Sequence, residues 1–251
     1  MNADRVVLAQ ATATAWASVS VPLPDIDALR AKPGPPIGKA IGPKTLRFAD
    51  EQTVAGMSAI LQAIHARGWQ QESFADWGVL SAPRFLGRMI TAFNISRTML
   101  DPAFSISPHI IPNFCLHSVS GAVSVALGIH GPNFGIGGGP DAVPEGIMAA
   151  LSVLAEKRVP GVWLILSDFD PEPIPDADGH ATNAVVVHAV ALALQPAGSG
   201  LSVTAIRGAD ATPGAGSVRA LGAWLRRGSG TWVHRLDGLG RVELIANSRG
   251  H

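Results

Sequence analysis

The sequence predicts an α/β protein in which helices layer against a mostly buried sheet. Three observations carry that. Stretches rich in Val, Ile and Thr alternate along the chain with stretches whose apolar residues fall at three- and four-residue spacings. Residues 162–166 (VWLIL) are bulky and apolar without a break, the run expected of a strand covered on both faces. Of the 251 residues, 47% are apolar and only 15% charged, enough to fill a large core. The length suits one domain over residues 1–251.

Taken in order, residues 6–21 read as one or two strands of Val, Ala and Thr. Residues 32–44 (KPGPPIGKAIGPK) form a Pro/Gly loop that no helix interior tolerates. Residues 45–68 read as a helix. Ala55, Met57, Ile60, Leu61 and Ile64 fall mostly at helical spacing, and Gly68 is placed to cap the end. A linking segment and strand over 74–80 precede a second helical stretch, 83–100, carrying Phe85, Leu86, Met89, Phe93 and Ile95. Residues 107–113 read as a proline-bounded turn, 114–128 as a small-residue helix, and 131–139 (GPNFGIGGG) as a glycine-rich strand or turn. A helix over 144–157 leads to the strand at 162–166 and an acidic, proline-rich loop at 168–179. Strands at 185–194 and 200–207, a helix at 216–227 and two short strands within 230–244 complete the order.

Composition removes several function classes. Nineteen basic and nineteen acidic side chains cancel, so there is no electrostatic footprint for nucleic acid or an anionic membrane. No apolar run reaches the roughly 18 residues of a membrane span. The mildly apolar N-terminus lacks the basic start of an export signal. Asp4 offsets Arg5, and Gln10, Thr12 and Thr14 interrupt the stretch, so a cytoplasmic protein is expected. The single cysteine, Cys115, excludes an internal disulfide and any cysteine-cluster metal site.

Local patterns yield no catalytic constellation. The glycine run at 131–139 does not match the dinucleotide fingerprint or a P-loop, and close backbone approach is the reading that suits it. Cys115 with His117 two residues on would place the two on different faces of a helix, so the thiol reads as a small buried hydrophobe. Asp168, Asp170, Glu172, Asp176 and Asp178 with His180 offer oxygen ligands for a cation, but prolines at 171, 173 and 175 break the geometry and a solvated loop is expected. His109, His117 and His130 read as hydrogen-bonded structural residues, and no G-x-S-x-G elbow is present. No cofactor and no metal are expected.

Residues 112–146, PNFCLHSVSGAVSVALGIHGPNFGIGGGPDAVPEG, resemble the β-ketoacyl synthases of the thiolase superfamily. The resemblance rests on Pro112, Asn113, Gly121, Ser124, Gly128, Gly131, Pro132 and Asn133, and segments 45–64, 162–170 and 183–196 are similar to further family elements. It implies a thiolase-like layered fold (α-β-α), the N-terminal half of a ketosynthase. Counted from Gly131, the family's nucleophilic cysteine falls on Pro140, between Gly139 and Asp141. Proline carries no nucleophile. A complete ketosynthase resembles a duplicated fold, so the histidines and lysine of its second half have no counterpart here.

The likeness is therefore to a short chain-length-factor-type subunit, with no catalytic residue of its own. That family member pairs as a heterodimer with a catalytic β-ketoacyl synthase in type II polyketide or fatty acid (aryl polyene-like) biosynthesis. The resemblance places the dimer-interface strand on Asn133, Phe134, Gly135, Ile136, Gly137, Gly138 and Gly139. It places tunnel-lining side chains at Phe85, Met89, Phe93 and Leu116, with ordinary core packing as the competing reading. Arg84, Arg88 and Arg97 would offer an acyl carrier protein a basic face, or form a solvated helix face. Two other readings stand beside this one: a homo-oligomeric half-thiolase-fold binding or scaffold protein, and an enzyme that uses Cys115 or the acidic loop.

Overall fold

A computed structural model of the chain describes residues 6–37, 41, 45–101, 103–108, 110–207, 216–236 and 240–246. It opens with β1 (Val6–Pro22), a 3-10 turn and the short α1 (Ile26–Ala31), which the sequence reading did not foresee. Then come α2 (Glu51–Arg67), β2 (Gly78–Pro83), α3 (Arg88–Leu100), α4 (Ile110–Phe114), α5 (Ser118–Leu127) and β3 (Asn133–Gly135). The chain continues through α6 (Ala142–Ala155), β4 (Val162–Asp170), β5 (Val186–Gln195), β6 (Leu201–Arg207), α7 (Val218–Arg227), β7 (Thr231–Leu236) and β8 (Gly240–Ala246).

All eight strands join one sheet in the order β3-β2-β4-β5-β1-β6-β8-β7. β2 runs parallel to β3 and β4, and the remaining pairs are antiparallel. Helices cover both faces, giving three α-β-α layers. Alternation along each strand sorts the core. Val162, Leu164 and Leu166 of β4 join Val190, Leu192 and Leu194 of β5 against α6 and α7. Trp163 and Ile165 point the other way and pack with α2 and α5. This two-sided burial is why the 162–166 run has no polar interruption. No described helix is long and apolar enough to cross a membrane.

Several boundaries differ from the sequence reading, each for a local reason. α2 begins at Glu51 rather than residue 45, because the Asp50 carboxylate accepts from the Gln52 N–H at 2.8 Å and caps the helix there. Gly68, at φ +79°, ends α2 as expected. Residues 110–114 form a separate short helix, so α5 starts at Ser118. β4 runs on to Asp170, which turns the start of the predicted acidic loop into strand. β3 is confined to Asn133–Gly135, since Gly137 (φ +75°) and Gly138 (φ +98°) leave the extended region. Ile136, Gly137, Gly138 and Gly139 therefore lie in a turn and not in the strand. His109 and parts of the Pro/Gly loop, 38–40 and 42–44, lie outside the described residues.

α6 lies unusually close to the sheet. A Cβ added at Gly146 would sit 2.7 Å from the Ala82 Cβ and 2.8 Å from the Leu166 Cδ2. Gly146→Val should therefore overpack this contact and cost about 1–3 kcal/mol in urea denaturation. Gly128→Asn, at φ +65° with nothing within 4 Å of an added Cβ, should cost less than about 1 kcal/mol. Equal losses at the two positions would show that α6 is not seated as described.

Candidate functional site

The site gathers where β2 and β4, running parallel, end together. Gln52, fully buried on the first turn of α2, is shared between them. Its Nε2 donates to the Arg84 carbonyl at 2.9 Å, and its Oε1 accepts from the Ser167 hydroxyl at 2.9 Å. The Arg84 N–H in turn donates to the Ser167 carbonyl at 2.8 Å. The next residue, Phe85, stands at φ +51°, and its N–H donates to the Gly138 carbonyl at 3.0 Å. The turn after β2 thereby fixes the glycine turn after β3. Burial pushes the Asp50 carboxyl beside this turn well above its ordinary value, with Glu51 adding to the shift.

The glycine turn delivers the chain to α6. Pro140 lies two residues ahead of Ala142, the first residue of α6, where a nucleophile would meet the positive end of the helix dipole. Gly135 passes directly under the Leu116 carbonyl and His117 N–H, where no Cβ fits, and a Cβ on Gly138 would meet the Leu116 side chain at 3.0 Å. Close backbone approach, the sequence reading for this run, is what these glycines provide.

β3 forms one edge of the sheet. Pro132 C=O and Ile136 N–H bond to β2. By the alternation of a parallel ladder, the main-chain groups of Asn133 and Gly135 point to the open side. Among the described residues no backbone group pairs with them there. Exposed apolar side chains flank this edge: Phe134 (48%) on the sheet face of Leu80, and Leu116 (36%) and Val125 (72%) on the α5 side. Asn133 Nδ2 donates to Ser124 Oγ at 3.0 Å, tying the edge to α5 beside Val125.

A cavity of about 180 Å³ opens on the other side of the turn. Arg84, Pro140, Val143, Asp168, Ser217 and His234 line it. Asp168 is 1% exposed, and its Oδ2 accepts from the Val218 N–H at 3.0 Å, capping α7. Burial pushes its carboxyl up to about 6, against the pull of that hydrogen bond. Asp168 and His234 were not singled out as neighbours by the sequence. The signal for Asp168 was present, since Val162, Leu164, Leu166 and Asp168 continue one alternating face.

The other candidates separate. The Leu116 side chain lies against Gly138, which Phe85 reaches through its backbone N–H while its ring lies under Arg84 and Arg88, whereas Met89 and Phe93 lie against Gly179. Phe93 also contacts Phe104 edge-on at 6.1 Å. The basic face of Arg84, Arg88 and Arg97 and the acidic loop neutralise each other. Arg84 and Arg88 both pair with Glu172, and Arg97 pairs with Asp178 at 3.2 Å. Asp170 pairs with Arg219 at 3.0 Å. Asp176 accepts from N–H groups of its own turn, which holds its carboxyl below the ordinary value. Cys115 is half-buried between α4 and α5, and its sulfur accepts from Ser118 Oγ at 3.6 Å. His117 Nδ1 lies 3.4 Å from Ser120 Oγ, so its described contacts do not run to the thiol.

No family model matches the chain. No curated protein matches it either. Among solved structures it is similar to a ketosynthase (ApeO) in complex with its chain length factor (ApeC) from Xenorhabdus doucetiae, with a TM-score of 0.56 and 16% identity over 94% of this chain and 99% of that one. It is also similar to the ishigamide ketosynthase/chain length factor, with a TM-score of 0.51 and 16% identity over 78% of this chain and 65% of that one. At this identity the likeness establishes the fold: a thiolase-like, ketosynthase-type α/β layering, as the 112–146 segment implies.

Asp168 sets a pH dependence opposite to that of most carboxylates. Its folded value, about 6, lies above the ordinary 3.8, so the folded chain holds a proton that the unfolded chain has released. The stability it confers is complete below about pH 4 and is lost as pH rises through 6. His188, lowered chiefly by burial, acts in the reverse sense, and comparison with a variant cancels it. Relative to Asp168→Asn, the wild type should lose about 2 kcal/mol between about pH 4.5 and 7.5 in urea titrations. A difference that stays flat with pH would show a carboxyl titrating normally.

Proposed function

We propose that the chain is a catalytically silent subunit of chain-length-factor type. In this reading it pairs in the cytosol with an active β-ketoacyl synthase and helps shape the acyl tunnel. The setting would be type II polyketide or fatty acid biosynthesis of the aryl polyene kind. The observation that carries the reading is Pro140. It stands between the edge strand and α6, at the place the resemblance gives to the nucleophilic cysteine. A thiol there would be activated by the helix dipole and attack a thioester. Proline has neither a thiol nor an N–H to offer.

The open edge of β3 supports pairing. Unpaired main-chain groups at Asn133 and Gly135 need a cover, and Phe134, Leu116 and Val125 supply apolar surface around them. Both similar structures are described as containing a chain length factor, one of them in complex with its ketosynthase. Leu116, whose side chain lies against Gly138 beside this edge, is the best placed of the four tunnel candidates.

Co-expression with an active β-ketoacyl synthase of an aryl polyene-type system should yield a one-to-one complex on size exclusion. Phe134→Asp and Val125→Asp should each weaken that complex about tenfold or more, while leaving the circular dichroism of the chain unchanged. A stable homodimer that ignores the ketosynthase would overturn the proposal in favour of a homo-oligomeric scaffold.

A further inference from the structure

The sheet face beside α7 carries polar groups that neither the β3 edge nor the cavity uses. His188 on β5 stands opposite Ser20 on β1 and Asp168 on β4 in the strand register. Its ring is buried, and Nδ1 lies 2.8 Å from the Ser20 hydroxyl. Nε2 has no hydrogen-bond partner and is not sealed from water. Ser20 itself is exposed.

α7 forms the wall of this notch. Arg219, Gly222 and Arg226 recur at helical spacing and fall on one side of α7. A Cβ added at Gly222 would sit 3.2 Å from the Ser18 Cβ, so the bare helix backbone leans on β1 there. Arg226 folds back over Gly222, and its Nη1 donates to Ser18 Oγ at 2.9 Å. At the other end Arg219 Nη1 donates to Asp170 Oδ2 at 3.0 Å and leaves its side chain 65% exposed. His188 and Ser20 thus lie between two guanidiniums, each with further N–H groups to offer. Burial above all holds the His188 ring below its ordinary value, and the charges of Asp170, Arg219 and Arg226 all act on it. The ring is therefore neutral at about pH 7.5. With its one proton on Nδ1 it donates to Ser20 Oγ, which turns the hydroxyl proton outward.

These groups select a ligand. Two positive side chains and one negative leave the notch with a net positive charge, which disfavours a cation. A carboxylate is planar and is satisfied by one guanidinium fork. Donors that approach from both ends and from beneath suit a tetrahedral oxyanion. We propose that this notch binds a phosphate group, held by Arg219 and Arg226 from its two ends and by the Ser20 hydroxyl from below. The site does not depend on the pairing proposed above.

The full chain can be titrated at about pH 7.5 with inorganic phosphate, phenyl phosphate and acetate up to about 20 mM, at an ionic strength held constant with potassium chloride. The His188 ring signals in the NMR spectrum should move saturably with phosphate, in the millimolar range, and acetate should bind at least about tenfold more weakly. Phenyl phosphate binding as tightly as the free ion would identify a phosphate ester as the ligand, and weaker binding the free ion. Arg226→Gln, at an exposed position, should weaken phosphate about tenfold. Asp170→Asn removes the opposing charge and releases Arg219, so it should strengthen phosphate about threefold or more. If Asp170→Asn does not fold, the ligand series and Arg226→Gln decide. His188 signals that do not saturate, acetate binding equal to phosphate, an unchanged affinity in Arg226→Gln, or a weakened one in folded Asp170→Asn would each overturn the assignment.

Discussion

The buried amide of Gln52 is the contact on which the site depends. Three elements meet at it: the first turn of α2, the end of β2 through the Arg84 carbonyl, and the end of β4 through the Ser167 hydroxyl. A fully buried amide satisfied at both ends is hard to rearrange, because any shift leaves a donor or acceptor unpaired. What lies beyond inherits this order. Arg84 is held in place, so Phe85 can reach the Gly138 carbonyl and set the glycine turn. Ser167 faces α2, so its neighbour Asp168 must face the opposite layer, where it caps α7 and lines the cavity. One side chain on one face of the sheet thus determines the geometry on both.

How much of this the sequence revealed follows from the range of the interactions. β4 and β5 were legible because burial on both faces writes a continuous apolar run into a window of a few residues. The end of α2 was legible because Gly68 is a local cap, while its start was read six residues early although Asp50 stood there as a cap. The glycines of 131–139 announced close approach, and Gly135 under the Leu116 carbonyl is that approach. Asp168 was read as part of a solvated loop because prolines and acids crowd the segment after it. Its partner, the Val218 N–H, is 50 residues away, and no local window contains such a contact. The ion pairs of Glu172 with Arg84 and Arg88 span still longer stretches of chain and were hidden for the same reason.

Those ion pairs explain how α3 stays in place with so little core beneath it. Only Asn94 of its thirteen residues is buried. Arg88 and Arg97 reach across to Glu172 and Asp178, and Gly179 fits against Phe93 and the Met89 carbonyl. Each pair is partly exposed and worth little alone. Together with the ring contacts they orient a helix whose other side leaves Ile95, Met99 and Leu100 in solvent. A neutral chain with few charges has thus spent many of them locally, so the proposed pairing would rest chiefly on apolar surface.

The edge strand sharpens that mode. β3 has three residues, so a strand added beside it can bond only to the main chain of Asn133 and Gly135. Two residues of ladder align a partner but give it little affinity, and most of the binding free energy would have to come from side chains at the flanks. Phe134 lies on one face of the edge, Leu116 and Val125 on the other, so a partner would have to wrap both faces of the sheet to bury them. The same glycine turn that shortens β3 also sets Pro140 at the head of α6, where it lines the cavity. The open edge of the sheet and the cavity thus fall on opposite sides of one turn.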